Sequence, residues 1–290
     1  MRKPKGPIIR WHGGKWRIAP WIIAHFPKHR TYVEPFGGGA SVLLRKPVSY
    51  AEIYNDLDER LVALFRVLRD REQAAELIRR LELTPFARVE FEEAYEDSPD
   101  PVESARRTLV RSFMGFGSDG TAGIYRTGFR SKILKSGTTP TTAWRAYPAA
   151  LELAVERLLE VTFERKPAVD VMRQYDDPTT LFYVDPPYLP STRSQGNRRR
   201  RGPGTAQFEV YAHEMTEENH VLLLQELQGL GGMVVLSGYA SDLYDRKLLG
   251  WRREEKETHG DGGAPRTEVI WMNPACDSAL GHGPLFGDGE

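Results

Sequence analysis

The chain has 290 residues, of which 40% are hydrophobic and 28% are charged, a balance typical of a globular protein with enough length to bury a core. No apolar run approaches the roughly 20 residues that span a bilayer, and the basic N-terminus lacks the apolar stretch of a signal peptide. The single cysteine, Cys276, excludes an internal disulfide, and the scattered histidines indicate no metal site. We therefore expect a protein with no membrane segment and no bound metal.

The formal net charge is zero because 40 basic residues balance 40 acidic residues, but the charges are unevenly distributed. Five arginines and no acid lie between Arg193 and Arg201, and four basic residues and no acid lie between Arg126 and Lys135. The segment from Glu72 to Glu103 is strongly acidic by contrast. For a nucleic-acid partner the distribution matters more than the sum, and it offers two basic loops for that role.

Strands and helices are predicted in chain order from apolar periodicity and turn residues. The first part contains strand Thr31–Glu34, a glycine turn, a helix starting at Ala40–Arg45, strand Ser49–Tyr54 and helix Leu57–Leu68. The later part contains helix Thr142–Leu159, strand Val161–Glu164, helix Ala168–Tyr175, strand Leu181–Val184, helix Thr216–Leu227, strand Gly232–Ser237 and the antiparallel pair Trp251–Glu257 and Thr267–Asn273. This alternation favours a mainly parallel sheet with helices on both faces.

The stretch between residues 69 and 144 differs in character from its flanks. Two helical segments, Gln73–Leu81 and Val102–Phe113, surround a loop rich in Ser, Pro and Asp, and a glycine-dense stretch runs from Gly115 to Gly137. We predict an insertion, residues 69–144, into a sheet domain made of residues 1–68 and 145–290.

A glycine turn follows the first predicted strand, in the segment Glu34-Pro35-Phe36-Gly37-Gly38-Gly39-Ala40. Glycines there allow backbone N–H groups to approach a ligand closely, at the positive end of the helix expected next. Asp56 lies 17 residues after Gly39, where a carboxylate is placed to bind both ribose hydroxyls of an adenosine. A tight turn and an N-cap aspartate explain the same residues without a ligand. The segment lacks the G-x-G-x-x-G pattern of NAD enzymes, which disfavours a dehydrogenase.

The N-terminal segment Trp11-His12-Gly13-Gly14-Lys15 combines an aromatic ring, two glycines and a cation. The glycines allow a close turn, so that Trp11 can pack on the apolar face of a ligand while Lys15 supplies a point charge. An N-terminal arm whose Trp packs on the core fits equally well, and the segment alone does not separate the two interpretations.

The tetrapeptide Asp185-Pro186-Pro187-Tyr188 follows the apolar strand Leu181–Val184, and ligands of open α/β sheets bind beyond such carboxyl ends. An exocyclic amine of a nucleobase is a poor nucleophile because its lone pair is delocalised into the ring. The Asp185 carboxylate and the Pro186 carbonyl can accept its two N–H bonds and stabilise the charge that develops on nitrogen. Consecutive prolines fix φ and hold that carbonyl stiffly, and Tyr188 can stack on the base. A purely structural Pro-Pro turn is the plainer alternative.

Together these motifs resemble those of the Dam-like, DPPY-type DNA adenine-N6 methyltransferases, in the same order. Trp11–Lys15 resembles the family's N-terminal cofactor motif, Glu34–Gly39 its glycine motif, Asn55-Asp56 its ribose-binding acid, and Asp185–Tyr188 its catalytic tetrapeptide. The resemblance implies S-adenosylmethionine as the cofactor, bound by Trp11, Lys15, Glu34, Pro35, Phe36, Gly37, Gly39, Asp56 and Asp185. Beyond residue 189 the resemblance is looser, although Val234–Tyr239 and Thr267–Pro274 resemble the family's closing strands.

Two departures from the family pattern leave the DNA target open. The loop between residues 193 and 204 is longer and richer in arginine than the pattern requires, and the insertion matches no known recognition segment. Phosphate clamping is the functional interpretation of Arg193, Arg198, Arg199, Arg200 and Arg201, and a solvated charge run is the plainer one.

Within the insertion, Arg126 and Arg130 lie among hydroxyl and aromatic groups, which favours bidentate readout of guanine. Phe113 and Phe116 stand near glycines, and they are either core residues or a wedge that enters the base stack when a base leaves it.

The sequence thus predicts an α/β, Rossmann-like class I methyltransferase domain with a helical and loop-rich target-recognition insert. The expected reaction is methyl transfer from S-adenosylmethionine to N6 of an adenine flipped out of double-stranded DNA. We expect a cytoplasmic enzyme, bacterial or phage-encoded, and leave open a restriction endonuclease partner. An RNA or protein-amide methyltransferase would usually carry Asn at position 185. A DNA-binding module that has lost activity is the alternative from another class, followed by an NAD-dependent oxidoreductase.

Overall fold

The computed structural model describes residues 4, 6–117, 126–131, 139–189, 215–259 and 265–281. Packing divides the chain into two compact units, each assembled from segments distant in sequence. The sheet unit comprises Trp21–Gly37, Pro47–Asp56 and Thr162–Glu290, and the helical unit comprises Met1–Pro20, Gly38–Lys46 and Leu57–Val161.

The strands of the sheet unit are β1 (Thr31–Glu34), β2 (Ala51–Asn55), β3 (Thr162–Glu164), β4 (Thr180–Val184), β5 (Met233–Tyr239), β6 (Arg252–His259) and β7 (Pro265–Met272). In the described residues they form a seven-stranded sheet of order β3-β2-β1-β4-β5-β7-β6. Strands β1 to β5 are parallel, and β7 runs antiparallel to its neighbours β5 and β6. The predicted Rossmann-like α/β class and the final antiparallel pair are confirmed. The strand order reverses between β1 and β4, which is where ligands bind in open α/β sheets.

The helices are α1 (Ala19–Ile23), α2 (Glu59–Arg69), α3 (Arg71–Leu83), α4 (Arg88–Glu93), α5 (Pro101–Met114), α6 (Pro140–Leu158), α7 (Ala168–Gln174), α8 (Glu217–Gly229), α9 (Asp242–Lys247) and α10 (Pro274–Ala279). In the sheet unit, α7 and α8 supply Met172 and Leu224 to a core shared with Phe182 of β4 and Val234 of β5. Strands β4 and β5 read as near-continuous apolar runs, and all of their residues except the last of β5 are buried, as expected for parallel strands that are covered on both faces. Among the described residues, no helix is both long and apolar enough to cross a bilayer.

The helical unit contains α2 to α6, and most of these helices begin at a side-chain cap. Asp58, Asp70 and Asp100 accept backbone N–H groups at the starts of α2, α3 and α5, and Thr139 does so for α6. Each cap satisfies a donor that the first helical turn leaves unpaired, which stabilises the helix by about 1 kcal/mol. The starts of these four helices are therefore encoded locally.

The helix predicted to start at Ala40–Arg45 is wrong. Backbone hydrogen bonds from Leu44 N to Ala40 O and from Lys46 N to Val42 O close turns there instead of a regular helix. Ala40 adopts a left-handed φ of 52°, and Pro47 disfavours helical geometry in the residue before it. The backbone between these two residues forms hydrogen-bonded turns, so the glycine motif does not lead into a helix N-terminus.

The helical unit extends beyond the predicted insertion. Helix α2 packs against α3 and α5, and α6 packs against α3, so helices on either side of residues 69–144 join the same core. The short helices α1, α4, α9 and α10 were not predicted, because five or six residues give too little periodicity to detect. The assignment of residues 69–144 to target recognition stays a prediction.

Candidate active site

Three acidic residues stand where adjacent parallel strands end at one edge of the sheet unit. Glu34 is the last residue of β1, Asp56 follows β2 directly, and Asp185 follows β4 directly. The register pairs Glu34 with Tyr54 of β2 and Val33 with Phe182 of β4, so the three strands end nearly level. Neighbouring strands are about 4.8 Å apart, which gathers these positions at the point where the strand order reverses.

Asp185 is half-buried, and its Oδ1 accepts a hydrogen bond of 2.8 Å from the hydroxyl of Ser237 on β5. Pro186 is buried and Pro187 is half-buried. The proline pair has no N–H groups to satisfy, so the loop can leave the strand at a buried edge without orphaned donors. The Asp185 carboxylate therefore stands at the strand end with one oxygen anchored from the neighbouring strand.

Tyr188 is only 8% exposed, and its hydroxyl donates a 3.0 Å hydrogen bond to Oε2 of Glu268 on β7. Its ring lies 4.3 Å from that of Tyr239, centroid to centroid, and Arg266 donates to the Tyr239 hydroxyl over 2.7 Å. Burial raises the pKa of Tyr188 well above its ordinary value, and the charges of Asp185 and Glu268 raise it further. The phenol therefore keeps its proton and remains a donor.

The first half of the glycine motif is held by Asn55, the last residue of β2. Its side-chain amide donates to the carbonyl of Pro35 over 2.9 Å and to that of Lys166 over 3.0 Å, and its backbone carbonyl accepts from Gly37 N over 2.8 Å. A Cβ added at Gly37 would lie 2.1 Å from Cε2 of the buried Tyr54. Only glycine fits there, because any side chain would displace the ring or the loop. Phe36, the residue before Gly37, packs against the core of the sheet unit.

Glu34 is 2% exposed, and Tyr32 donates a 2.6 Å hydrogen bond to its Oε1. The two side chains share a face of β1 because they are two residues apart. Burial, followed by the charge of Glu34, raises the pKa of Tyr32 well above its ordinary value, so the phenol remains a donor to the carboxylate. The carboxylate of Glu34 is therefore held at the end of β1 by the hydroxyl of Tyr32.

In the helical unit, the N-terminal motif contacts the second half of the glycine motif. Gly13 has a φ of 74°, Gly14 N donates to the carbonyl of Trp11 over 3.1 Å, and Nζ of the buried Lys15 donates to the carbonyl of Gly13 over 2.8 Å. A Cβ at Gly39 would lie 3.3 Å from Cβ of Trp11. Trp11 thus packs closely against the backbone of Gly39, where a larger residue would be crowded. The N-terminal motif is a tight turn, as its two glycines predict.

Residues 126–131, the described part of the basic stretch from Arg126 to Lys135, pair with the end of α5. Gly115 and Phe129 form an antiparallel bridge, with hydrogen bonds from Phe116 N to Gly128 O and from Arg130 N to Met114 O. Arg126 is 66% exposed and its guanidinium lies 5.2 Å from the centroid of Tyr95. Arg126 also forms an exposed ion pair of 3.3 Å with Glu96.

The two candidate wedge residues differ in environment. Phe113 is half-buried, and its ring centroid lies 4.1 Å from that of Tyr147. Phe116 is 60% exposed beside Gly117, whose φ is 79°. The arginines of the other loop, Arg193, Arg198, Arg199, Arg200 and Arg201, lie outside the described residues.

Two polar partners of the tetrapeptide, Ser237 and Glu268, were not singled out from the sequence. Ser237 is a polar residue in the mainly apolar strand Met-Val-Val-Leu-Ser-Gly-Tyr, and Glu268 directly precedes the apolar run Val-Ile-Trp-Met of β7. That contrast was the available signal, since a polar group in a buried strand needs a partner. Within the described residues, no three His, Cys, Asp or Glu side chains are grouped in a way that could hold a metal ion.

Comparison with known proteins adds evidence that is independent of this geometry. Residues 11–227 match the family model of D12 class N6 adenine-specific DNA methyltransferases. DNA adenine methylase of Escherichia coli K12 is 27% identical over 239 residues, covering 79% of this chain and 78% of the relative. DNA adenine methylase of Salmonella typhi is 26% identical over 237 residues, covering 78% of this chain and 77% of the relative. The matched residues include all four motifs, the tetrapeptide among them.

Proposed function

We propose that this chain, which belongs to the D12 class N6 adenine-specific DNA methyltransferase family, uses S-adenosylmethionine and acts on an adenine flipped out of the double helix, with Asp185 at the reacting amine. Family membership makes the chain an adenine-specific DNA methyltransferase with DNA as its substrate. The cofactor, the flipped base and the residue roles are the proposal. The observation that carries it is the tetrapeptide at the end of β4, beside the glycine loop that ends β1.

The groups at the ends of β1 and β2 fit an adenosine. Asp56 offers a carboxylate to the ribose hydroxyls, and the Phe36–Gly37 backbone offers close approach beside an apolar ring. The family resemblance adds Trp11, Lys15, Glu34, Pro35 and Gly39 to this set. S-adenosylmethionine supplies an electrophilic methyl group on a sulfonium sulfur. Asn55 holds the loop in one conformation before the cofactor binds, which lowers the ordering cost of binding.

At the reacting centre, the Asp185 carboxylate and the Pro186 carbonyl accept hydrogen bonds from the two N–H groups of the adenine amine. These acceptors favour a tetrahedral nitrogen whose lone pair is no longer shared with the ring, and they stabilise the positive charge that develops as the methyl bond forms. The bond between the methyl carbon and the sulfonium sulfur would break as the bond to nitrogen forms, leaving a neutral thioether, and the methylated nitrogen then releases one proton to solvent. Tyr188 is fixed at its hydroxyl by Glu268 and at its ring by Tyr239, so it loses little further freedom when it contacts the base.

On DNA, the exposed Phe116 is proposed to fill the space left by the flipped base, and Arg126 and Arg130 to read base edges. The contacts of Arg126 with Tyr95 and Glu96 are solvent-exposed and therefore weak, so they do not prevent the guanidinium from binding a guanine. Arg193 and the run from Arg198 to Arg201 are proposed as phosphate clamps.

The test is methyl transfer from S-adenosylmethionine, labelled on the methyl group, to plasmid DNA, followed by nucleoside analysis. We expect label in N6-methyladenine with the wild-type protein and at least a ~10²-fold lower rate with Asp185→Ala, because one preorganised acceptor is lost. DNA binding by Asp185→Ala should be retained. Label in another nucleoside, or near-normal turnover by a folded Asp185→Ala protein, would overturn the mechanism. DNA binding without any transfer by the wild type would support the inactive module.

Base flipping is tested once the methylated sequence is known. Placing 2-aminopurine at the target adenine should give a fluorescence increase on binding, because the probe leaves the quenching base stack. The same probe one base pair away serves as the control. An unchanged signal at the target position would contradict flipping.

A further inference from the structure

A chain of three hydroxyl and carboxylate groups leads from the sheet core to Asp185. The hydroxyl of Tyr183 lies 3.0 Å from Oγ of Ser237, and Oγ of Ser237 lies 2.8 Å from Oδ1 of Asp185. Tyr183 is 3% exposed and Ser237 is 1% exposed. All three residues belong to the sheet unit.

The direction of this chain follows from the chemistry of its members. An ionised carboxylate only accepts, so the Ser237 hydroxyl donates its single proton to Asp185. The Ser237 oxygen must then accept from Tyr183. Burial, followed by the charge of Asp185, raises the pKa of Tyr183 well above its ordinary value, which keeps the phenol protonated as the donor. Two hydrogen bonds in line polarise each other and define one orientation of the carboxylate.

The sheet register sets this arrangement. Val184 of β4 pairs with Leu236 of β5, so the next residues, Asp185 and Ser237, stand side by side just past the last paired residues. Tyr183 and Asp185 are two residues apart and therefore share a face. Alanine is nearly as large as serine and would fill the same buried site, so packing alone does not require the hydroxyl at position 237.

We propose that Ser237, itself oriented by Tyr183, is a positioning residue that fixes the Asp185 carboxylate for methyl transfer. This inference rests on the proposed role of Asp185. It adds a residue from β5 and one from inside β4 to a site otherwise assigned to the tetrapeptide. Neither residue contacts the substrate in this proposal, so both act through Asp185.

The test compares Ser237→Ala, Ser237→Thr and Tyr183→Phe in steady-state methyl transfer. Removing the Ser237 hydroxyl should lower kcat by about 10- to 100-fold, because a misoriented acceptor costs rate. KM for DNA and the affinity for S-adenosylmethionine should change less than about twofold, since Ser237 binds neither (a pure positioning role acts on kcat). Ser237→Thr should restore most of kcat by restoring the hydroxyl. Tyr183→Phe should give a smaller loss, and the double variant Tyr183→Phe/Ser237→Ala should be no slower than Ser237→Ala alone.

Thr108→Ala is the matched control, because Thr108 is a buried hydroxyl of the helical unit that donates to the carbonyl of Ser104. It should lose stability comparably while kcat stays unchanged. A Ser237→Ala protein with wild-type kcat, or a loss that Ser237→Thr fails to restore, would overturn this inference. Full activity of Asp185→Ala would instead overturn the proposed mechanism, so the two failures are distinguishable.

Discussion

The Tyr188 hydroxyl donates a 3.0 Å hydrogen bond to Glu268, a residue 80 positions later in the chain. The register of β5 and β7 places Glu268 opposite Tyr239, whose ring also packs on Tyr188. The antiparallel end of the sheet thus holds the last residue of the tetrapeptide, while the parallel part holds the first through Ser237.

Replacing Glu268 tests this hold on Tyr188. Glu268→Leu removes an acceptor from a buried phenol, which should lower the free energy of unfolding by about 1–3 kcal/mol and reduce kcat. Glu268→Gln keeps an acceptor oxygen and should retain most of both. Urea unfolding and methyl-transfer kinetics measure the two effects. Identical behaviour of the Leu and Gln variants would show that this hydrogen bond does not hold the ring.

Gly37→Ala should disturb the glycine loop, because the added Cβ would lie 2.1 Å from Cε2 of Tyr54. We expect a loss of about 1–3 kcal/mol of stability from overpacking and weaker binding of S-adenosylmethionine. Gly229→Ala is the control, since a Cβ at that helical glycine meets nothing within 4 Å. It should be neutral or stabilising by up to about 1 kcal/mol. Calorimetric affinities equal to wild type for Gly37→Ala would argue against a cofactor at this loop.

Asp56→Ala should weaken S-adenosylmethionine binding by about 10- to 100-fold, as expected for lost hydrogen bonds to a charged group. Lys15→Ala should weaken it as well. Asp58→Ala is the neighbouring control: Asp58 caps α2 by accepting from Arg60 N, so its loss should cost about 1 kcal/mol of stability without changing affinity. Isothermal calorimetry on the folded variants decides, and unchanged affinity for both Asp56→Ala and Lys15→Ala would move the cofactor site elsewhere.

The two basic segments are predicted to separate sequence readout from phosphate binding. Replacing Arg126 or Arg130 by alanine should relax discrimination at one base position by ~1–3 kcal/mol. Replacing Arg198 to Arg201 by alanine should make the slope of log binding constant against log salt concentration less steep, by up to ~4 × 0.9. The methylated sequence should stay unchanged. Sequencing the methylated sites of both variant sets provides the measurement. A site that shifts with the four-arginine run and stays fixed with Arg126 and Arg130 would reverse the two assignments.

Four buried tyrosines predict a loss of stability in alkali. Burial is the largest cause that raises the pKa of Tyr32, Tyr147, Tyr183 and Tyr188 well above the ordinary value of 10.0. Below that value both folded and unfolded chains keep these protons. Above it the unfolded chain releases them while the folded chain does not, so the free energy of unfolding falls as pH rises.

The expected slope is up to about 1.4 kcal/mol per pH unit for each such phenol. Urea unfolding between pH 8 and about pH 11 measures it. Tyr147→Phe should reduce this slope by up to about 1.4 kcal/mol per pH unit, the contribution of one proton. Tyr147 is the suitable choice because burial alone raises the pKa of its phenol. An unchanged slope in this variant would contradict the assignment.

Much of the fold was predictable because its signals are local. Strands β1 and β4 are short apolar runs that end in turn residues, and α2, α3 and α5 start at aspartate caps within one helical turn. The motifs at Glu34–Gly39 and Asp185–Tyr188 were located at strand ends for the same reason. The helix predicted at Ala40–Arg45 failed because periodicity does not register the left-handed φ of Ala40.

The sequence by itself determined the α/β class, the motifs and their order, since each depends on residues within a few positions of one another. Only the tertiary structure decided which side chains hold the tetrapeptide. Ser237 and Glu268 reach Asp185 and Tyr188 through pairings of β5 with β4 and β7 across 52 and 80 residues. Strand register depends on packing of the whole sheet, and a one-residue slip would turn both side chains to the opposite face.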